Sequence, residues 1–245
     1  AEIRNNMPCN IICNFTDYTF YSACMAKALW PQEVNLIAVV HSDDNAYYES
    51  YSEMRTVIDY CLVTCDKMKK CLIERGMEKE KILRLIWKFL CEEVTERKYS
   101  EIGQPIRIGY AGRIVKYPKR LDLLIEVAKK LEEAKVDFHI EIAGSGEYEK
   151  EMRRSLEGLS NRISFVGYIE REHISAFWKN QDIGVNCSDF EGRCISKIES
   201  MAVGAVPIVT DTSSARDDVQ DGYNGYVVPT GDVAAIADRI CYLYT

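Results

Sequence analysis

The sequence predicts an α/β protein made of two doubly wound domains, each a mostly parallel sheet flanked by helices. Short apolar runs of strand length alternate with helical patterns along the chain, and this alternation is typical of parallel sheets. A polar segment at 92–105 interrupts the alternation and ends in Gly103 and Pro105, as an interdomain linker does. We therefore predict domains at residues 1–100 and 101–245, with the first one short or truncated.

Four apolar runs of the first domain have the length and composition of strands. They are NIICNF (10–15), NLIAVVHS (35–42), YCLVTC (60–65) and KILRLIW (81–87). Helical patterns lie between them at 45–58 and 66–76, where Gly76 is a typical helix stop. The domain has no glycine-rich strand-to-helix turn near its start, so we expect its sheet to be incomplete.

The second domain shows the full alternation. Its predicted strands are 106–112, 137–144, 163–168, 183–188, 206–210 and, at an edge, 224–229, and its predicted helices are 117–134, 146–158, 171–180, a short helix that includes Glu199, and 232–244. The helix at 117–134 places apolar residues at helical spacing on one face: Leu121, Leu124, Ile125, Ala128 and Leu131.

Composition excludes several classes of protein. The net charge is −7 with both signs mixed, which does not favour nucleic-acid binding. No run reaches the roughly 20 apolar residues of a membrane span, the start of the chain does not resemble a signal peptide, and only peripheral membrane contact stays open. The ten cysteines form no CxxC pair, so we expect buried thiols in the cytoplasm and no metal site.

Polar and glycine residues follow the predicted strands of the second domain. Arg113 and Lys119 follow the first strand, Gly144 and Gly146 the second, Tyr168 the third, and the loop SDFEGRC (188–194) the fourth. Ligands of open α/β sheets bind at the carboxyl ends of the strands. We therefore predict that these groups converge on one ligand site.

The residue types in this set suit a phosphate joined to sugars. Arg113 and Lys119 supply positive charge, and the amides of Gly192, Arg193 and Cys194 are predicted to open a helix whose N-terminus attracts phosphate. Carboxylates repel phosphate but accept hydrogen bonds from vicinal hydroxyls. Glu191 and Glu199 therefore predict two sugar rings, as a nucleotide sugar has, and we expect the nearby cations to hold both carboxylates ionised.

Three stretches together resemble one enzyme family. GRI…KRLDLLIE, EG…ESMAVGAVPIVTDT and DGYNGYVVPTGD are similar to the second domain of retaining glycosyltransferases of the GT-B fold, which has two Rossmann-like domains. They look most like the nucleotide-sugar-dependent family 4, or glycosyl transferases group 1. The resemblance covers nearly all of residues 106–245. Where the family usually has an aromatic residue and a glycine after EG, this chain has Arg193 and Cys194.

The resemblance implies a hexosyltransferase of polysaccharide biosynthesis that acts with retention and needs no metal or other cofactor. Its substrate would be a nucleotide-diphosphate sugar, most often a UDP-sugar, and its acceptor a carbohydrate or a lipid-linked sugar. Arg113 and Lys119 would hold the diphosphate, Glu199 the ribose, and Glu191 the transferred sugar, while His41 in the first domain would face the donor. The other residues implied in donor binding are Gly112, Gly144, Tyr168, Gly192, Arg193, Cys194 and Ile195.

Three alternatives stay open at this point. The short first domain and Cys194 favour a non-catalytic nucleotide-sugar module or partner subunit. A periplasmic-type sugar-binding protein would have a secretion signal, and a glycosidase would use Glu191 and Glu199 as its carboxylate pair. Because the first domain is short, we also expect a piece or short form of a longer transferase that binds donor and transfers sugar poorly.

Overall fold

The computed structural model describes residues 2–85 and 97–245. Contacts divide the chain into two compact units: Ala1–Trp87 with Glu191–Arg193, and Lys88–Phe190 with Cys194–Thr245. The predicted linker lies partly outside the described residues, so the predicted boundary at residues 100 and 101 stays a prediction.

The first unit contains a four-stranded parallel sheet in the order β1-β2-β3-β4. The strands are β1 Cys9–Cys13, β2 Val34–Val40, β3 Tyr60–Val63 and β4 Ile82–Arg84, and the helices are α1 Glu2–Asn5, α2 Tyr18–Leu29, α3 Asn45–Glu53 and α4 Asp66–Glu74. All four predicted strands are present, each within a few residues of its predicted bounds.

The core of the first unit lies between this sheet and helices α2 to α4. In β2, Leu36, Ala38 and Val40 are buried at alternate positions, as expected for one face of a strand. Tyr48 and Tyr51 of α3 pack into the same cluster. These two tyrosines therefore belong to the core.

The second unit contains a six-stranded parallel sheet in the order β10-β9-β8-β5-β6-β7. Its strands are β5 Ile106–Ala111, β6 Phe138–Ala143, β7 Ile163–Gly167, β8 Ile183–Asn186, β9 Val206–Thr210 and β10 Tyr226–Val228. Its helices are α5 Leu121–Glu133, α6 Glu149–Ser155, α7 Ile174–Lys179, α8 Ile195–Ala202, α9 Ala215–Asp218 and α10 Val233–Tyr244. The six predicted strands are confirmed, including β10 at the edge.

Helices cover both faces of this sheet. The predicted apolar face of α5 packs into the large cluster that also contains Ile236 and Ile240 of α10, whereas Phe177 and Trp178 of α7 belong to a separate cluster. The predicted α/β class with parallel sheets is confirmed. The predicted start of α5 at residue 117 is wrong: Arg120 has a φ of 51° in the left-handed region, so the helix begins at Leu121.

Among residues 2–85 and 97–245, no helix combines the length and the apolar character that a membrane span requires.

Candidate functional site

The strand order of the second unit reverses between β5 and β8. β5 pairs with β6 on one side and with β8 on the other, so the loops after β5 and β8 leave the sheet at a topological switch point. Ligands of open α/β sheets bind in the crevice at such a point. The two loops are 112–120, which carries Arg113 and Lys119, and 187–194, in which residues 191–193 group with the first unit.

The backbone around Arg113 is held on both sides. The hydroxyl of Tyr110 donates to the Arg113 carbonyl at 2.9 Å, and the amide of Ile114 donates to the Ser145 carbonyl at 2.8 Å. The Arg113 side chain is exposed and makes no ion pair with any residue that the structure describes. Its charge is therefore available to an anionic ligand.

The backbone around Lys119 is tied to the loop after β8. The Asp189 amide donates to the Pro118 carbonyl at 3.0 Å, and the Arg120 guanidinium donates to the Asp189 carboxylate at 2.9 Å and to Asp122 at 3.1 Å. The rings of Tyr117 and Phe190 also meet edge to face, with centroids 5.4 Å apart. Sequence reasoning missed these contacts, because Arg120 looks like the first turn of a helix.

Glycines allow the ends of β5, β6 and β7 to approach one another. The Gly112 amide donates to Ala143 at 3.0 Å, and the Gly144 amide donates to Gly167 at 2.7 Å. Gly144 has a φ of +129°, and a Cβ there would lie 1.9 Å from the Gly112 carbonyl oxygen. The glycine at 144 is therefore required by the turn itself, whatever the ligand.

Helix α8 begins at Ile195, with Cys194 as its N-cap. The sequence predicted that the amides of Gly192, Arg193 and Cys194 open this helix, whereas its first residue in the structure is the one after them. Of the three, only Cys194 lies in the second unit. Cys194 is buried, and its sulfur lies 3.3 Å from Asn186 Nδ2. Ile195 is 43% exposed at the first turn.

Glu199 lies in the second half of α8 and is half-buried. Burial raises the pKa of the Glu199 carboxyl, and the Trp178 side chain and the charge of Arg171 act in the opposite direction. Desolvation is the largest of these effects. The expectation that nearby cations hold this carboxyl ionised stays a prediction. Neither Trp178 nor Arg171 was predicted to lie near Glu199, since both belong to the preceding helix region.

The remaining predicted site residues belong to the first unit. His41 follows β2, and its Nε2 lies 2.8 Å from Asn14 Oδ1 after β1. Gly192 is buried, and a Cβ at that position would lie 1.7 Å from the His41 carbonyl oxygen. Glu191 and Arg193, on either side, are half-buried. The structure thus brings His41 and the segment Glu191–Arg193 together.

The other histidines and Tyr168 have simpler surroundings. His139 Nε2 lies 3.0 Å from Ser164 Oγ of the neighbouring strand. His173 precedes α7 at the N-cap position, without a side-chain capping hydrogen bond. Tyr168 is 71% exposed directly after β7. In the described part of the chain, no group of three His, Cys, Asp or Glu side chains has the arrangement of a metal site.

Comparison with known proteins identifies the matching family. The model for the family described as glycosyl transferases group 1 matches residues 92–245. The chain is 33% identical over 139 residues to the putative glycosyltransferase EpsD of Bacillus subtilis, covering 54% of this chain and 36% of EpsD. It is 26% identical over 204 residues to the putative colanic acid biosynthesis glycosyltransferase WcaL of Escherichia coli, covering 80% of this chain and 50% of WcaL. The chain thus spans half or less of these relatives.

Solved structures share the fold. A mutant of S. aureus TarM, in complex with fondaparinux, alpha-GlcNAc-glycerol and UDP, superposes with a TM-score of 0.77 at 20% identity over 96% of this chain and 48% of TarM. Anabaena HepE in complex with UDP and glucose gives a TM-score of 0.76 at 16% identity over 94% of this chain and 67% of HepE. The predicted GT-B fold with Rossmann-like sheets is confirmed.

Proposed function

Because the chain belongs to the glycosyl transferases group 1 family, we propose that it transfers a hexose from a nucleotide-diphosphate sugar to an acceptor hydroxyl, with retention. The matched relatives are named glycosyltransferases, which supports glycosyl transfer. UDP is the nucleotide we favour, since the TarM and HepE structures contain it. The acceptor is a carbohydrate or a lipid-linked sugar, and the chemistry takes place in the cytoplasm.

One observation carries the proposal. Arg113 and Lys119 lie on one loop at the switch point of the second sheet, and backbone contacts hold that loop on both sides of each residue. Positive groups fixed before a ligand arrives stabilise the charge that develops on a leaving diphosphate, because they need not reorganise during the reaction. We propose that they bind the diphosphate in this way.

The carboxylates have separate parts in the proposal. Glu199, on α8 of the second unit, accepts hydrogen bonds from the ribose hydroxyls. Glu191 and His41 contact the transferred sugar. The first unit takes the acceptor. No resident metal has a part, because the two cations supply the positive charge that a divalent ion would otherwise provide.

We expect the Arg113→Ala and Lys119→Ala variants each to bind UDP about ten- to a hundredfold more weakly. A charge-assisted hydrogen bond contributes about 1.5–3 kcal/mol, and both side chains are solvent-accessible enough for the fold to survive their removal. Isothermal titration of UDP into each variant measures the loss, and the same titration with EDTA tests the metal-independent part.

Lys116→Ala is the matched control, because Lys116 lies on the same loop but places its ammonium 6.0 Å from the Tyr148 ring centre. Its UDP affinity should stay within about threefold of the parent, since Lys116 is exposed and the ionic contacts of exposed side chains contribute about 0–1 kcal/mol. The phosphate assignment fails if all three variants bind alike. A strict requirement for magnesium or manganese would overturn the metal-independent part.

Glu199→Gln and Glu191→Gln should separate the two sugars of the donor. We expect Glu199→Gln to weaken binding of UDP itself by about tenfold. A carboxylate accepts hydrogen bonds from both ribose hydroxyls through two charged oxygens, whereas the amide of glutamine has one uncharged acceptor oxygen. Glu191→Gln should leave UDP affinity nearly unchanged and reduce the preference for UDP-glucose over UDP. Titrating both ligands into both variants gives the comparison, and equal losses for free UDP would refute the division.

A further inference from the structure

We propose that Asn14 is a positioning residue for His41: it fixes the ring and the tautomer so that Nδ1 presents a hydrogen-bond acceptor to a sugar hydroxyl. The hydrogen bond from a sugar hydroxyl to Nδ1 rests on the proposed function, whereas the position of the proton on the ring does not. Sequence reasoning gave Asn14 no role.

The geometry places both residues at the carboxyl edge of the first sheet. β1 and β2 are parallel, with Cys13 opposite Ala38, so the residues after each strand emerge side by side. Asn14 Oδ1 lies 2.8 Å from His41 Nε2. A carbonyl oxygen only accepts hydrogen bonds, so this contact requires the proton on Nε2.

Asn14 is itself held in place. Its backbone carbonyl accepts a hydrogen bond from the Tyr47 hydroxyl at 3.1 Å, and Tyr51, one helical turn further along α3, donates to the Cys13 carbonyl at 3.4 Å. The half-buried Tyr47 and the buried Tyr51 therefore fix the backbone from which the amide reaches His41. The ring of Phe15 lies 6.4 Å from the imidazole centre and is 64% exposed.

The other ring nitrogen has a different environment. In residues 2–85 and 97–245, His41 Nδ1 makes no hydrogen bond, whereas Nε2 is engaged by Asn14. A neutral imidazole with its proton on Nε2 keeps a lone pair on Nδ1. That lone pair is the acceptor that a ligand hydroxyl needs.

The surroundings favour the neutral ring. The His41 side chain is exposed, and the partial desolvation that it still undergoes lowers its pKa. The ionisable side chains nearest to it in sequence are Asp43, Asp44 and Tyr47, and Asp17 follows the neighbouring strand β1. Glu191 and Arg193 flank Gly192, whose Cα lies against the His41 backbone. Of the aspartates, Asp43 binds Lys67 at 2.6 Å, and Asp44 and Asp17 accept amide hydrogen bonds at the starts of α3 and α2. The acidic side chains nearest in sequence are thus engaged elsewhere.

NMR of the imidazole nitrogens tests the tautomer directly. The chain has three histidines, and His41→Gln assigns the His41 signals. We expect the parent to show the proton on Nε2 at pH 7.5, Asn14→Leu to show both tautomers, and Asn14→Asp to raise the pKa of His41 by about one pH unit, since a carboxylate stabilises the imidazolium.

Asn10→Leu is the matched control, because Asn10 lies on β1, the strand that Asn14 follows, and accepts a side-chain hydrogen bond from Asn35 at 2.9 Å. It should leave the His41 signals unchanged. A parent with its proton on Nδ1, or a tautomer that does not change in Asn14→Leu, overturns the proposal. An equal change in Asn10→Leu would show that only general structure is being measured, which also overturns it.

Ligand binding tests the purpose of the arrangement. Asn14→Leu should bind UDP-glucose about tenfold more weakly than the parent and bind UDP equally well, because one hydrogen bond to the sugar is lost. Equal affinity of both proteins for UDP-glucose contradicts the acceptor role of Nδ1. A parent that binds neither ligand contradicts the proposed function instead, and the NMR result then still decides the tautomer.

Discussion

Lys197→Met should destabilise the second unit by about 3–5 kcal/mol, the usual loss when one partner of a buried ion pair is removed. The Lys197 side chain has 0% of its surface exposed, and its ammonium lies 2.8 Å from Asp218 Oδ2 and donates to the Ser214 carbonyl at 2.6 Å. These bonds join α8 to the start and end of α9. Methionine fills a similar volume, so the loss reports on charge and hydrogen bonding rather than on a cavity.

Urea unfolding followed by tryptophan fluorescence, to which the buried Trp178 of the second unit contributes, measures this loss. Lys150→Met is the matched control, because Lys150 is exposed on α6 and a surface change of this kind alters stability by about 0.5 kcal/mol or less. The double variant with Asp218→Asn should lose less than the sum of the two single changes. Comparable losses for Lys197→Met and Lys150→Met would show that the ion pair does not stabilise the unit.

Gly144→Ala has the second large expected effect, a loss of roughly 2–6 kcal/mol together with weaker UDP binding. About 1–3 kcal/mol comes from the left-handed backbone, which disfavours a Cβ, and about as much from overpacking. The new methyl would meet a backbone carbonyl, that of Gly112, at 1.9 Å. Because a backbone atom cannot rotate away, the loops after β5 and β6 must separate, and Arg113 moves with the first of them.

Gly158→Ala serves as the control for this change, since a Cβ there meets no atom within 4 Å. It should be neutral or slightly stabilising, because alanine restricts the unfolded chain. Thermal unfolding and UDP titration of both variants provide the comparison. If Gly144→Ala melts and binds UDP as the parent does, the close approach of the two loops has no energetic importance.

The strands were predictable because the strands of a parallel sheet covered on both faces are buried at nearly every position, as β8 and β9 are, so each one appears in the sequence as a short apolar run. All ten predicted strands are present within a few residues of their bounds. Helix limits were less predictable. The sequence places the start of α5 at Tyr117, but Arg120 adopts a left-handed conformation and its guanidinium binds Asp189, 69 residues away. A contact at that separation leaves no local pattern.

The residues of the candidate site were also only partly predictable from the sequence. Arg113, Lys119 and Glu191 were chosen as candidates because charged groups after strands fall at one sheet edge, and their roles stay predictions. The rise in the pKa of Glu199 was not predicted, since the burial of this side chain depends on how α7 packs on α8. Lys197 reads as an ordinary polar position of a helix, and only the structure shows it without solvent contact.

By itself, then, the sequence determined the α/β class, the strand order along the chain, and the residue types available for a phosphate and its sugars. The tertiary structure decided which of these groups meet: Arg120 with Asp189, His41 with Asn14, and Lys197 with Asp218. The physical reason is the range of each signal. Periodicity is a local property that burial imposes on neighbouring residues, whereas ion pairs, tautomers and desolvation depend on distances between segments that only packing brings together.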